Sequence, residues 1–577
     1  MPNQLKLDLT KVPFGRARNG IVVYEEDNRD GDGAIPGLYF ASRIQGGEHR
    51  RTGGIVDLVP IFEGDALTYK YEATPEKLTL NTEKGSVTVF IDSAGTLRIF
   101  GEGVGLRLYS KFPFYSMMIA STQPGGLVDL SLGGTTMNGM HLMFKALSGK
   151  ITCDSVFNVS NNGPDDVTIE MLPTENNKFE IEAYTMNPNE WGYIEYTPIP
   201  EALEGVKKDF EDFKNLYPAV PAELEEIRDL AAYAVWIHKE SPNAIDLYPT
   251  MKAEVIYSGR MTNGWAYAFE QPLHAMAMQD KAEALKLIKN MFVHMSNGML
   301  PFKLSTTKGQ YQASPPTQGL GVLEILKKNG ALDEADAKEL YADMKANYEW
   351  WEATHSFGEN RFSYNHRDEL CIAGLSYNAC DFPLETPDLY TLMILYTKAL
   401  AALAKSAGEC AKCWESKTEA LKESLMGLWN GKAFDLRAVR SGVRYETANL
   451  LAYLPVLIGA ELPQEVIDAM EAALADKDAF FTDKGFASES KASASYDPEA
   501  DGRGAVVLWL QMLIIKGLDE SGKKELAKTA ANNIIANAKA GNLRDVFSAE
   551  GNKTQRRPGC DLNAIAGTSL IYIAGKC

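Results

Sequence analysis

YNHRDELCIAGLSYNACDFPLETPDL, residues 364–389, is the stretch on which the fold turns. It opens on charged and aromatic residues. It then passes through a Gly, Ser, Asn and Cys segment that makes a poor helix. It ends in Glu385-Thr386-Pro387-Asp388, a helix start with proline in the first turn. Residues 389–407 then read as a long apolar helix. A polar connection of this length between helices is functional or disordered, and its aromatic and cysteine content argues against disorder. The stretch therefore reads as the floor of a binding site carried by helices.

Working outward, the apolar period from Ala222 onward is that of helices. Twelve helical segments are expected, among them 266–279, 446–454, 504–515 and 561–573. Twelve helices suggest six hairpins closed into a toroid, an (α/α)6 arrangement. Short connections, such as the one at Asp280, would lie on one face. The long polar connections 297–316, 358–386 and 475–503 would lie on the other, and a pocket is expected there. Residues 1–197 have a different pattern. Short alternating runs at 20–24, 55–62, 66–71, 86–91, 96–100, 105–109, 151–157, 167–172 and 179–183 are separated by Gly, Asn and Asp clusters. They imply an N-terminal antiparallel β-sandwich. Asp30-Gly31-Asp32-Gly33 lacks the rest of a calcium-loop pattern and reads as a turn. Between the two parts, 198–221 has four prolines and the charged run EGVKKDFEDFK, and reads as a linker with a helical turn or two. The expected organisation is 1–197 β-sandwich, 198–221 linker and 222–577 toroid.

The composition is globular, 45% hydrophobic and 23% charged, with a formal net charge of −19. That charge argues against nucleic acid and anionic membrane as partners. No apolar run reaches the roughly 18 to 20 residues of a membrane span. The opening residues are polar, so the expected location is cytoplasmic. Seven scattered cysteines do not form a disulfide framework. Cys410-Ala-Lys-Cys413 lies among helix formers, with no second Cys or His pair nearby, and reads as two thiols on one helical turn rather than a zinc or redox site. No HxH or HxxxH pair supports a metal, and no cofactor is expected.

Four pieces of the helical half combine carboxylates with aromatic residues or arginine. The first, 263–274, holds Trp265, Tyr267, Glu270 and His274. The second is the quoted stretch, with His366, Arg367, Asp368, Glu369 and Asp381. The third is Ser495-Tyr-Asp-Pro-Glu-Ala-Asp501-Gly-Arg503-Gly504. The fourth, 541–551, contains Arg544, Asp545 and Glu550. Aromatic rings cover the apolar faces of a sugar, and carboxylates with arginine bind its hydroxyls. The pieces therefore point to a small carbohydrate substrate, and two carboxylates could act as general acid and base. Blander roles compete. Asp388 and Asp497 read as cap or turn residues, and His274 on an apolar helical face reads as core.

In this order the pieces resemble the clan of (α/α)6 glycoside hydrolases that includes glycoside hydrolase family 63 and the trehalases. In that clan a β-sandwich precedes the toroid. Asn263 to His274 is similar to the family's Trp-Trp-Asp opening, with Phe269 and Glu270 in place of Trp and Asp. Asn297-Gly-Met-Leu-Pro301 and Ser314-Pro-Pro-Thr-Gln318 resemble its Gly-Met-Ile-Pro and Gln-Pro-Pro segments. Glu385-Thr-Pro-Asp-Leu389 matches its Glu-Ser-Pro-Asp-Leu. Gly502-Arg503-Gly504 looks like its Trp-Arg-Gly, so the resemblance implies a substrate contact for Arg503. Asp545 stands where the family has its general base, a Glu. Counting back from Glu385 without gaps puts the family's general acid on Ala373, so the acid is Glu369 or Asp368 in a slipped loop, or Asp381 reaching in, or the protein is not an ordinary hydrolase of the clan. The resemblance implies an inverting, α-glucosidase-like hydrolase of a small glycoside or oligosaccharide. Trp265, Tyr267, Glu270, Tyr364, His366, Arg503 and Arg544 would bind substrate. A homo-oligomer is compatible with this reading. A phosphorylase, lyase or epimerase on the same toroid, or a sugar-binding protein without catalysis, are the alternatives.

Overall fold

A computed structural model of the chain describes residues 4–16, 21–26, 37–42, 54–111, 119–123, 126–132, 140–160, 163–186, 196–240, 252–258, 265–304, 309–372, 375–551 and 562–577. The expected turn at Asp30 to Gly33 and the acid position Ala373 lie outside the described residues.

The N-terminal part is built from two eight-stranded antiparallel sheets. One runs in the order Phe14–Gly15, Ile21–Glu26, Gly37–Ser42, Gly54–Phe62, Gly105–Lys111, Asp166–Leu172, Lys150–Asp154, with Asp65–Ala66 paired to the fourth. The other runs Ile119–Gln123, Leu127–Leu132, Met140–Ser148, Lys178–Met186, Leu97–Glu102, Ser86–Ile91, Leu78–Asn81, Lys70–Ala73. Alternation accounts for the expected strands. In Asp166–Leu172, Val167, Ile169 and Met171 are buried while the residues between them reach the surface. Gly37–Ser42, Leu78–Asn81, Ile119–Gln123, Leu127–Leu132 and Met140–Ser148 were not expected from the sequence.

The stretch read as a linker contains a four-turn helix, α1 (Ile199–Lys214). Its prolines sit at the start, where a missing N–H costs nothing. Its buried residues Ala202, Val206, Phe210 and Phe213 recur at helical spacing, the last three inside the charged run. Phe210 packs edge-on against Tyr233 at 5.8 Å and tilted against Trp236 at 5.3 Å.

Among the described residues eleven α-helices and one long 3-10 segment follow, matching the twelve expected segments in order. They are α2 (Glu225–Ile237), α3 (Glu270–Ala277), α4 (Lys281–Phe292), α5 (Gln318–Asn329), α6 (Glu334–His355), α7 (Pro387–Ala407), α8 (Ala411–Met426), the 3-10 segment Leu450–Glu461, α9 (Gln464–Ala475), α10 (Leu508–Glu520), α11 (Lys524–Lys539) and α12 (Ala564–Ala574). Packing sorts them into two layers. α3, α5, α7, the 3-10 segment, α10 and α12 touch in that sequence, and α12 returns to α3, closing an inner ring of six. α2, α4, α6, α8, α9 and α11 pack outside it. Every residue of α3 and of α12 is buried. The outer α8 buries only Trp414, Thr418, Leu421 and Leu425. An inner helix has neighbours on all sides and an outer one has water on one, which explains the difference in pattern.

Glycine lets the inner ring close. A Cβ on Gly319 of α5 would stand 2.4 Å from Tyr396 Cα of α7, and one on Gly517 of α10 would stand 2.7 Å from the Val456 carbonyl carbon. Both contacts are with backbone, which cannot step aside as a side-chain tip can. The two halves share one hydrophobic cluster. They are tied by Tyr233 Oη, which accepts from Gly15 N at 3.1 Å and donates to Pro13 O at 3.2 Å. Among the described residues no helix is long and apolar enough to cross a membrane.

Gly319→Ala is expected to destabilise the fold by about 1–3 kcal/mol or more, the cost of overpacking. Denaturant unfolding measures it. An unchanged midpoint would contradict the close α5–α7 approach.

Candidate active site

The quoted stretch is a loop pinned at its ends. Tyr364 N donates to Leu384 O at 3.0 Å and Leu384 N to Tyr364 O at 2.8 Å. Leu384–Glu385 then pairs with Leu436–Ala438. The next residue carries the anchor. Glu385 is wholly buried. Its carboxylate accepts from Arg361 Nε at 3.1 Å and Nη2 at 2.7 Å, from Arg437 Nη2 at 2.9 Å and from Tyr390 Oη at 2.6 Å. Burial alone would raise its pKa, but the hydrogen bonds from Arg437, Arg361 and Tyr390 outweigh it and hold the carboxyl below the usual range. Thr386 caps α7, accepting from Leu389 N.

Between the pinned ends the chain makes a 3-10 turn at Arg367–Leu370, a left-handed residue at Cys371 (φ 58°) and a second 3-10 turn at Ser376–Ala379. A 3-10 turn has three residues per turn, so adjacent side chains diverge by about 120°. Asp368 and Glu369 accordingly face different ways. Asp368 lines a cavity of about 610 Å3 at the mouth of the toroid. Glu369 is buried behind the loop, where Oε2 accepts from Asn365 N at 2.7 Å and Oε1 lies 3.3 Å from His355 Nε2.

The cavity draws on all three long connections. Phe302, Lys303, Gln310 and Gln312 come from the first, Arg367, Asp368, Cys371, Ile372 and Asn378 from the second, and Asp501 from the third. Tyr267, Glu270, Trp509 and Asp545 also line it. Small sheets set these positions. Ala266–Tyr267, Lys303–Leu304 and Gly309–Gln310 form one. Val506–Val507 pairs with Val546–Phe547, and Leu508 N donates to Asp545 O at 2.8 Å, fixing Asp545 against the start of α10. Gln312 Nε2 donates to Asp368 O at 3.2 Å, joining the first connection to the second. Arg367 Nε donates to Asn378 O at 2.8 Å.

Two features give the cavity its chemistry. Four aromatic rings run in edge contact, Phe302 to Tyr267 at 5.5 Å, Tyr267 to Phe269 at 6.1 Å and Phe269 to Trp509 at 5.5 Å. Four carboxylates, Glu270, Asp368, Asp501 and Asp545, share the space with Lys303 and Arg367. Glu270 is buried at the first turn of α3, and Ser258 Oγ donates to its Oε1 at 3.2 Å. Apolar faces beside charged hydrogen-bonding groups match the two sides of a pyranose, its C–H faces and its hydroxyl rim. Among the described residues no group of three or more His, Cys, Asp and Glu could hold a metal ion.

The expected site residues divide accordingly. Asp545, Asp368, Glu270 and Tyr267 are brought together. Trp265 is outside the lining, with Lys303 Nζ 4.4 Å from its ring centre. Arg544 is absent from the lining. Arg503 is likewise outside it, since α10 starts at Leu508 and not at Gly504; its half-exposed side chain lies 4.0 Å from Asp497. His366 faces a neighbouring cavity of about 420 Å3 with Arg440 and Asp381, and Asp381 accepts from Tyr445 Oη at 2.9 Å. Tyr364 is fully buried under the loop beside Asp388. His274 is core as expected, its Nδ1 2.5 Å from Thr568 Oγ1, and burial lowers its pKa to about 3. Sequence reasoning missed Lys303 and Trp509, and gave Asp501 and Arg367 no role of their own. Asp501 and Arg367 lie within stretches singled out for their charge. Lys303 and Trp509 carried no signal.

A buried carboxylate ties the third connection to the loop. Glu489 accepts from Ser376 Oγ at 2.8 Å, Asn449 Nδ2 at 2.9 Å and Ser493 Oγ at 2.7 Å. Asn449 Nδ2 also donates to Gly502 O at 2.8 Å, next to Asp501.

Residues 363–556, which hold the pinned loop, Asp368, Asp501 and Asp545, match the family model of the mannosylglycerate hydrolase MGH1-like glycoside hydrolase domain. The match covers this segment alone, about a third of the chain. The clan resemblance therefore stands where the candidate chemistry lies. Among solved structures, the chain is similar to a family 63 mannosylglycerate hydrolase from Thermus thermophilus in complex with glucose, at 13% identity and a TM-score of 0.46, over 54% of this chain and 92% of that one. It is also similar to an uncharacterized conserved protein from the same organism, at 13% identity and a TM-score of 0.49, over 60% and 99%. A third likeness is to a sialidase, at 10% identity and a TM-score of 0.49, over 86% and 54%. No curated protein matches the chain.

One buried acid beneath the loop gives a pH test. Desolvation raises Asp388 from 3.8 to about 7, partly offset by hydrogen bonds from Thr386, its own N–H and Tyr364. The folded state thus holds the protonated form more tightly than the unfolded chain. Its contribution to stability is complete below about pH 4 and is lost as pH rises through about 7. Asp388→Asn should therefore gain on the wild type by roughly 2 kcal/mol between pH 5 and pH 7 in unfolding measurements. A difference that does not change with pH would contradict the burial.

Proposed function

We propose that the protein is an inverting glycoside hydrolase of a small, neutral, α-glucosidase-like glycoside, with Asp545 as general base and Asp368 as general acid. The observation that carries this reading is the convergence of Asp545 and Asp368, from separate connections, on one cavity with an aromatic wall. Asp545 stands at the family's general-base position. Asp368 takes the acid role because the counted acid position is Ala373, which has no proton to give, and because Glu369 is engaged behind the loop. Four carboxylates against two cations disfavour a strongly anionic substrate. Tyr267 and Trp509 would cover sugar faces, and Glu270 and Asp501 would accept from hydroxyls.

In this mechanism Asp545 takes a proton from a water as that water attacks the anomeric carbon, while Asp368 protonates the departing glycosidic oxygen. Inversion requires the two carboxyls to stand roughly 6.5–9.5 Å apart, leaving room for the water. Removing either proton-transfer group costs about 10²- to 10⁴-fold in rate.

Asp545→Asn should lower kcat on a small glycoside by at least about 10²-fold with little change in KM. Asp368→Asn should do the same for glycosides with poor leaving groups, and much less for an activated aryl glycoside that leaves without protonation. Glu369→Gln should cost less than Asp368→Asn. Free sugar released without phosphate supports hydrolysis. Sugar phosphate formed only when phosphate is added, or a Glu369→Gln loss exceeding that of Asp368→Asn, would overturn the assignment.

A further inference from the structure

Among the described residues, Cys410 and Cys413 differ from the other cysteines. Both are exposed, and their Sγ atoms lie 2.8 Å apart in a hydrogen bond between the two sulfurs. The spacing reads in the sequence as two thiols on one turn, yet the geometry is that of a dithiol. Cys410 is the N-cap of α8, in extended conformation, and its side chain makes no cap hydrogen bond. The Cys413 thiol beside it, and after that the neighbouring backbone and the Lys412 charge, hold its pKa below the usual thiol range. The same contact holds Cys413 above it. Burial pushes the thiols of Cys371, Cys380 and Cys577 up instead, the latter two to about 11.

The platform is rigid. One turn on from Cys410, Trp414 is buried, donates to Tyr341 Oη at 3.1 Å and meets Tyr348 edge-on at 5.2 Å. Thr418 Oγ1 donates to Thr397 Oγ1 of α7 at 2.8 Å. The dithiol follows the C-terminus of α7, whose N-terminus carries the pinned loop. With 21 residues in α7, the two sites are about 30 Å apart.

We infer that Cys410 and Cys413 are a thiol–disulfide exchange site for small disulfides of the glutathione class, with Cys410 as the attacking thiol and Cys413 as the resolving thiol. The Cys410 thiolate attacks one sulfur of the small disulfide. A mixed disulfide forms and one small thiolate leaves. The Cys413 thiolate then attacks Cys410 Sγ and expels the second small thiolate. The two protein thiols are oxidised to one disulfide, the small disulfide is reduced to two thiols, and the two protein protons end on the departing thiolates.

The test uses the reduced full-length protein with oxidised glutathione, quenched by alkylation and read by peptide mass spectrometry. The wild type should give a Cys410–Cys413 disulfide and little mixed disulfide. Cys413→Ser should accumulate one glutathione on residue 410. Cys410→Ser should react at residue 413 at least about tenfold more slowly, since the thiolate is the attacking species. Both variants should retain the glycoside-cleaving activity of the wild type, which separates a failure here from a failure of the proposed function. A wild type that keeps both thiols free in excess oxidised glutathione would overturn the inference. So would a Cys410→Ser variant that reacts as fast as Cys413→Ser.

Discussion

The site depends on one buried carboxylate. Glu385 has lost all contact with water and keeps its charge because Arg361 and Arg437 close on it from two hairpins while Tyr390 donates from the helix below. Desolvating a carboxylate costs several kcal/mol, and breaking such a cluster by removing one partner typically costs about 3–5 kcal/mol. The cluster therefore fixes three segments at one point. These are the end of the loop, the start of α7 and the strand Leu436–Ala438. Everything the loop presents to the cavity is positioned from that point, with the Tyr364–Leu384 pair closing the other side.

Above this anchor the loop is held laterally rather than packed like a core. Glu489 takes hydrogen bonds from Ser376, Asn449 and Ser493, and Asn449 reaches on to Gly502. Gln312 reaches the backbone of Asp368 from the opposite connection. Polar ties between loops set directions without filling the space between them, which a cavity requires. The aromatic chain from Phe302 to Trp509 supplies a stiff wall on the other side. The result is an acidic, aromatic cleft at the mouth of a ring that its glycines allow to close.

Much of this was legible in the sequence. The 3.6-residue period yields twelve helical segments in the right order, because long amphipathic helices carry a strong signal. The helix Ile199–Lys214 was read only as a turn or two within a linker, since three of its four buried residues are interspersed with charges between prolines. Met140–Ser148 was missed for a different reason. A run of Met, Leu, Phe and Ala is as compatible with a buried helix as with a strand. In the site, Asp545, Glu270 and Tyr267 could be named because they stand in charged or aromatic clusters at helix mouths. The choice between Asp368 and Glu369 could not be made. Neighbours in a 3-10 turn diverge, and only the backbone decides which one faces the cavity. Arg503 was misplaced because the helix after it begins five residues later, at Leu508.

The central claim is that a water held by Asp545 attacks the anomeric carbon while Asp368 protonates the leaving oxygen. Hydrolysis of a small α-glucoside in ¹⁸O-labelled water, followed from the first turnovers by proton NMR and mass spectrometry, tests it most directly. The account predicts that the first sugar released has the opposite anomeric configuration to the substrate and carries the label on its anomeric carbon. Release of the retained anomer, or of sugar without the label, would contradict it.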